Sequence, residues 1–118
     1  MNEEQFNART KKLALRVIRL TEALPKSQAA RIISRQLLRS GTSVGANYRA
    51  ACRAKSTADI INKLKIVEEE SDETAYWLEL IVEAGDQSQE EISPISKETN
   101  EIIAMTVASI KTLRKKQS

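Results

Sequence analysis

Between Ile60 and Ile81, apolar or small residues fall at Ile60, Leu64, Val67, Ser71, Thr74, Leu78 and Ile81, in alternating steps of four and three. That rhythm puts all seven on one face of an α-helix, and it excludes the two-residue alternation of a half-buried strand. Ser56-Thr57-Ala58-Asp59 comes immediately before and reads as a capping box with Asp in place of Glu. Ala84-Gly85 closes the segment, because glycine just past a helix end readily takes the left-handed conformation.

Three further stripes share this spacing. Phe6, Thr10, Leu13, Val17, Leu20 and Leu24 define a first helix stopped by Pro25. Ser27 then caps a second, whose inward face is Ala30, Ile33, Leu37, Ser40, Val44, Tyr48 and Ala51. Ile95, Thr99, Ile102, Thr106, Ser109 and Leu113 form the last and most polar stripe, with Ile103 and Ile110 widening it. Ser88-Gln89-Glu90-Glu91 resembles a capping box, but Pro94 lies too deep for a helix begun there, so the fourth helix is expected to start at Ser93 with Pro94 in its first position. Four amphipathic helices joined by short turns predict an all-α, antiparallel up-down-up-down bundle, one domain over residues 1–118. Helices two and three, near 28 residues each, would run about 42 Å at 1.5 Å per residue.

Composition agrees. Aromatic residues make up only 3% of the 118 residues and charged residues 30%, with three glycines and two prolines, a balance of long helices rather than of a sandwich or barrel. No apolar run approaches a membrane span, and Met1-Asn2-Glu3-Glu4-Gln5 lacks the basic-then-apolar profile of a signal peptide. A cytoplasmic chain with no membrane partner is therefore expected. The lone Cys52 has no partner for an internal disulfide.

Gly41 and Gly45 stand inside the second helical pattern, where each costs about 0.5 to 1 kcal/mol relative to alanine. With Ser40 they predict a close-packing seam at which a neighbouring helix approaches closely. A second apolar set, Leu15, Ile18, Ile66, Trp77 and Leu80, lies off the stripes. It reads either as a subunit interface or as a core face wider than a strict heptad.

Catalytic chemistry finds little support. The chain contains no histidine, which removes the usual general base, the Ser-His-Asp and Cys-His arrangements and the Glu-x-x-His ligands of di-iron bundles. Glu68, Glu69, Glu70, Asp72 and Glu73 fan around several helix faces instead of converging on a cation. Cys52 has Arg49 and Arg53 nearby, company that lowers a thiol pKa, yet no base accompanies it. Gly41-Thr42-Ser43-Val44-Gly45 lacks the Gly-Lys-Ser/Thr ending of a phosphate loop. No enzyme activity, cofactor or metal is expected.

Charge is more informative. Residues 1–55 hold twelve Lys/Arg against three Glu, whereas residues 56–118 hold seven against thirteen Asp/Glu. Arg9, Lys12, Arg16 and Arg19 follow a helical spacing on helix one, and Arg31, Arg35, Arg39, Arg49 and Arg53 run along one flank of helix two. Arginine donates in pairs to phosphate, so these stripes suit RNA or DNA. They equally suit pairing with the acidic face of helix three, within or between subunits. Lys111, Arg114, Lys115 and Lys116 complement the dipole at a helix end.

The run Leu37-Leu38-Arg39-Ser40-Gly41-Thr42-Ser43-Val44-Gly45-Ala46-Asn47-Tyr48-Arg49-Ala50-Ala51, then Ser56, Asp59, Lys63-Leu64, Val67-Glu68-Glu69 and Tyr76-Trp77-Leu78, resembles the four-helix bundle proteins encoded in intervening sequences of bacterial 23S ribosomal RNA genes. Phe6, Ala14-Leu15-Arg16-Val17 and Leu24-Pro25 share the likeness, and Pro94 departs from it. The resemblance implies a left-handed four-helix bundle assembled as a ring-like homopentamer, with no established enzymatic activity and no catalytic residue to carry over. Accessory proteins of diversity-generating retroelements are similar in fold, and they associate with a reverse transcriptase and with nucleic acid through a basic surface. The expectation is a homo-oligomer that binds RNA or DNA through Arg9, Lys12, Arg16, Arg19, Arg35, Arg39, Arg49 and Arg53. The alternative is an assembly or adaptor module whose arginines form intersubunit salt bridges and whose partner is a nucleic-acid-processing protein.

Overall fold

The computed structural model describes residues 2–117 as four helices: α1 (Glu3–Ala23), α2 (Gln28–Cys52), α3 (Thr57–Glu83) and α4 (Gln89–Gln117). Each begins on a side-chain cap that satisfies a backbone N–H lacking a helical partner. Asn2 accepts from Gln5 at 2.7 Å, Ser27 from Ala30 at 3.2 Å, Ser56 from Asp59 at 3.1 Å and Ser88 from Glu91 at 3.2 Å. Gly85, at φ +80°, ends α3, with the Gly85 N–H bonded to the Val82 carbonyl and the Asp86 N–H to the Ile81 carbonyl, both at 3.0 Å. Those two bonds define a Schellman motif.

The connections hold four or five residues and reach at most about 18 Å. Even α1, the shortest helix at 21 residues, is about 31 Å long, so successive helices must run antiparallel. Packing follows chain order: α1 on α2, α2 on α3, α3 on α4, with only a thin contact between α4 and α1. The resulting rod measures 49 × 21 × 21 Å.

Phe6, Leu13, Val17, Leu37, Val44, Val67, Leu78, Ile81, Ile92 and Ile102 make one continuous core. Burying each such side chain stabilises the fold by about 1.5 to 3 kcal/mol. Hydroxyls on the inward stripes return to their own helices: Ser71 donates to the Val67 carbonyl at 2.7 Å, Thr99 to Ile95 at 2.8 Å and Thr106 to Ile102 at 2.7 Å. Small polar residues therefore sit in the core without an unmet bond.

Two expectations are corrected. The fourth helix starts at Gln89 with Ser88 as its cap, and Pro94 lies inside it, a turn and a half from the start. Ile92 is 1% exposed, so core packing holds this first turn helical, while Pro94 faces outward and deprives only the Glu90 carbonyl of a helical donor. Helices two and three are also shorter than expected, at 25 and 27 residues.

The stripes shift at their ends. Ile110 is buried in place of Ser109, because a straight helix repeats every 3.6 residues and its apolar face drifts about 20° per heptad. Ile61 is buried in place of Ile60, against Ala51, Leu64 and Ile110 in a second, smaller cluster. Ile60 lines an open groove beside Tyr48 and Leu113.

Candidate nucleic-acid interface

The α1–α2 pair carries both arginine stripes, and two glycines set its spacing. A Cβ on Gly41 would stand 2.9 Å from both Val17 methyls, closer than packed carbons approach. At Gly45 it would stand 3.1 Å from Thr10 Oγ1. Both glycines thus serve the α1 seam. Ser40 looks the other way: it is fully buried against α3, where Thr74 Oγ1 lies 2.9 Å from Ser40 Oγ and 2.8 Å from the Glu70 carbonyl. The close-packing set divides between two neighbours.

On α1, Arg9 reaches across to α4. Its Nε donates to Glu98 Oε2 at 2.8 Å, its Nη2 to Glu98 Oε1 at 2.7 Å and its Nη1 to Met105 Sδ at 3.1 Å, while Glu101 lies 3.7 Å away. This planar fork-to-fork pair is the stronger kind of ion pair. Hydrogen bonding from Arg9 holds the Glu98 carboxyl below its ordinary range, against the opposing effect of its partial burial. Lys12 and Arg16 line the same α1–α4 groove beside Glu98 and Glu101. Arg16 and Arg19 line the next one along, beside Glu91 and Pro94.

On α2, Arg39 turns toward α3 and pairs with Glu70 at 2.8 Å and with Glu73. Arg31, Arg35, Arg49 and Arg53 are exposed. The two stripes do not merge, since the α1 cations face α4 and Arg39 faces α3 on the far side of the pair. Of the eight expected contacts, Arg9 and Arg39 are engaged within the chain; Lys12, Arg16, Arg19, Arg35, Arg49 and Arg53 make no ion pair among the described residues.

Where α2 ends, Tyr48 stacks on Phe6 with ring centroids 4.4 Å apart. Beside them a groove of about 540 Å³ opens between the ends of α2 and α4, lined by Tyr48, Cys52, Ile60, Met105 and Leu113. Desolvation pushes both the Tyr48 phenol and the Cys52 thiol up, so Arg49 and Arg53 do not make Cys52 a reactive thiolate.

The off-stripe apolar residues form an incomplete second surface. Leu15 is 45% exposed, whereas Ile18, Ile66, Trp77 and Leu80 are half-buried. Trp77 packs on the core, meets Tyr76 edge-on at 5.1 Å, and has a buried Nε1 with no hydrogen-bond partner among the described residues. Ile32, Leu38 and Tyr76 are also exposed large apolar residues, at 51%, 38% and 53%. They were missed at the level of sequence, although Ile32 and Leu38 fall as far off the α2 stripe as Leu15 and Ile18 fall off that of α1.

A small all-helical bundle with exposed cations on two helices defines the class of this protein. The family model of the 23S rRNA-intervening sequence proteins matches residues 3–108, and the chain belongs to that family. A crystal structure of a protein of unknown function from the S23 ribosomal protein family of Bacteroides thetaiotaomicron is similar to it, with a TM-score of 0.87 and 38% identity. That likeness covers 94% of this chain and 99% of the other. No curated protein matches the sequence. No helix is long and apolar enough, among the described residues, to cross a membrane.

Proposed function

We propose that this protein is a non-catalytic, self-associating bundle that binds RNA or DNA through cations on its helix surfaces. The observation that supports it is the state of Lys12, Arg16, Arg19, Arg35, Arg49 and Arg53, which form no ion pair among the described residues. Phosphate oxygens would complete one. Self-association draws on Leu15, Ile32, Leu38 and Tyr76, exposed on several faces, and on the unpartnered Nε1 of Trp77. A ring of five copies is the assembly that the family resemblance implies.

Titrating labelled structured RNA and duplex DNA with the protein tests the binding. Affinity is expected to fall steeply between roughly 50 and 200 mM salt, as counterion release requires. Binding that ignores salt, or none at low salt, overturns it. Light scattering after size exclusion tests assembly, and a 13.2 kDa species in solution overturns the ring.

A second reading, the adaptor whose arginines are consumed in protein contacts, draws on Arg9 with Glu98 and Arg39 with Glu70 and Glu73. These arginines already choose carboxylates. In that version the other cations meet acidic groups of a neighbouring copy or of a nucleic-acid-processing protein.

A further inference from the structure

The fold redistributes the charge of the chain. In sequence the amino-terminal half is basic, but in space the net positive charge gathers at one end of the rod. Ala51 of α2, Leu64 of α3 and Ile110 of α4 share one cluster, so the finish of α2, the start of α3 and the finish of α4 lie together. That end holds Arg49, Arg53 and Lys55 from α2 and its connection, and Lys63 and Lys65 from α3. The last turns of α4 add Lys111, Arg114 and Lys116; Lys115, which has an interaction of its own, is set aside.

Among the described residues three side-chain carboxylates share this end, and all three sit in first turns of helices: Glu3 and Glu4 in α1, Asp59 in α3. There they answer the positive pole of the helix dipole. None of the eight cations makes an ion pair among the described residues. To the same depth the opposite end is balanced, with Arg16, Arg19, Lys26, Arg31, Arg35 and Lys97 against Glu22, Glu79, Glu83, Asp86, Glu90 and Glu91.

Helix dipoles account for Arg49, Arg53 and the α4 cations, which stand at negative helix ends. They do not account for Lys55, just ahead of the α3 cap, nor for Lys63 and Lys65 in the turns that follow. The end is about 21 Å across, narrow enough for one polyanion laid over it to meet several of these cations at once. The α1 cations are worse placed, because Lys12, Arg16 and Arg19 share their grooves with Glu91, Glu98 and Glu101. A phosphate settling there would meet carboxylates.

We infer that the phosphate-binding surface of this protein is the end of the bundle formed by Arg49–Lys55, Lys63–Lys65 and Lys111–Lys116, and that its ligand is the backbone of a nucleic acid. This rests on the nucleic-acid reading above and moves its site from the flanks of the helices to one end. In a cyclic assembly whose rods stand along the ring axis, rotation carries like ends to the same side, so such a ring would present one cationic face and gain by multivalency.

The test compares three proteins by fluorescence anisotropy against a labelled structured RNA and a labelled DNA duplex. An end variant carries Lys111→Glu, Arg114→Glu and Lys116→Glu; a flank variant carries Lys12→Glu, Arg16→Glu and Arg19→Glu. The end variant is expected to lose affinity on the order of a hundredfold near 50 mM salt, and its salt slope to become shallower by about 2.7 on DNA. The flank variant is expected to lose less than about tenfold. Glutamine in place of glutamate at the same end positions keeps the comparison valid where charge reversal unfolds α4, and is expected to give the same slope change. Wild-type affinity in the end variants, with loss in the flank variant, overturns this inference and leaves the nucleic-acid reading standing. Wild-type protein that binds neither probe overturns both.

Discussion

Helix α1 has two neighbours and meets them by different physics. Against α2 it packs so closely that Gly41 leaves no room for one more carbon beside Val17. Against α4 the contact is thin, grooves run along the seam, and a charged pair from Arg9 to Glu98 spans it. The first seam depends on shape and is insensitive to pH and salt. The second depends on charge and answers to both.

The largest effect is expected at the tight seam. Gly41→Ala should cost about 1 to 3 kcal/mol in urea unfolding, because both Val17 methyls stand 2.9 Å from the new Cβ and Val17 is fully buried. Adding Val17→Ala removes the clash, so the double variant should lose less than the two single losses added together. Simple additivity would mean that Gly41 is not there for close approach.

The loose seam should yield less. Glu98→Gln is expected to cost about 1 kcal/mol near neutral pH, a charged hydrogen bond discounted for the partial exposure of both partners. Its pH dependence carries the sharper signature. The pair holds Glu98 below its ordinary 4.5, so the unfolded chain takes up the proton first as acid is added. The contribution is whole above about pH 4.5 and is lost as the pH falls below it through the lowered value of the folded state. Thermal melts of wild type and Glu98→Gln should therefore converge in acid. A gap that stays constant from neutral pH down to pH 3 would remove the charged latch.

Gly45→Ala closes the series. Thr10 Oγ1 lies 3.1 Å from the new Cβ, tight but not overlapping, and alanine gains about 1 kcal/mol of helix propensity. The net change should stay within about 1 kcal/mol of zero, with melting temperature as the readout. A loss as large as that of Gly41→Ala would show that α1 approaches α2 with equal closeness along the whole seam.

Much of the fold was legible because it depends on local rules. Ser27, Ser56 and Gly85 act at their helix ends as their residue types dictate, and the α1 stripe is buried almost as read. Pro94 was misread because its penalty is local, whereas the burial of Ile92 that outweighs it is tertiary. The arginine stripes were visible as spacing alone. Spacing cannot tell Arg9, bonded to Glu98 some 89 residues away, from Arg19, which has no ion-pair partner among the described residues.

Four capped amphipathic helices and their short connections were therefore written into the order of residues, since periodicity and capping act over one or two turns. Family membership was written there too, in the segment around Gly41 and Gly45. Folding decided which helix each small residue admits, which arginines find carboxylates, and that charges spread over the chain meet at one end of a 49 Å rod. Those outcomes depend on distances between residues far apart in sequence, and only packing sets such distances.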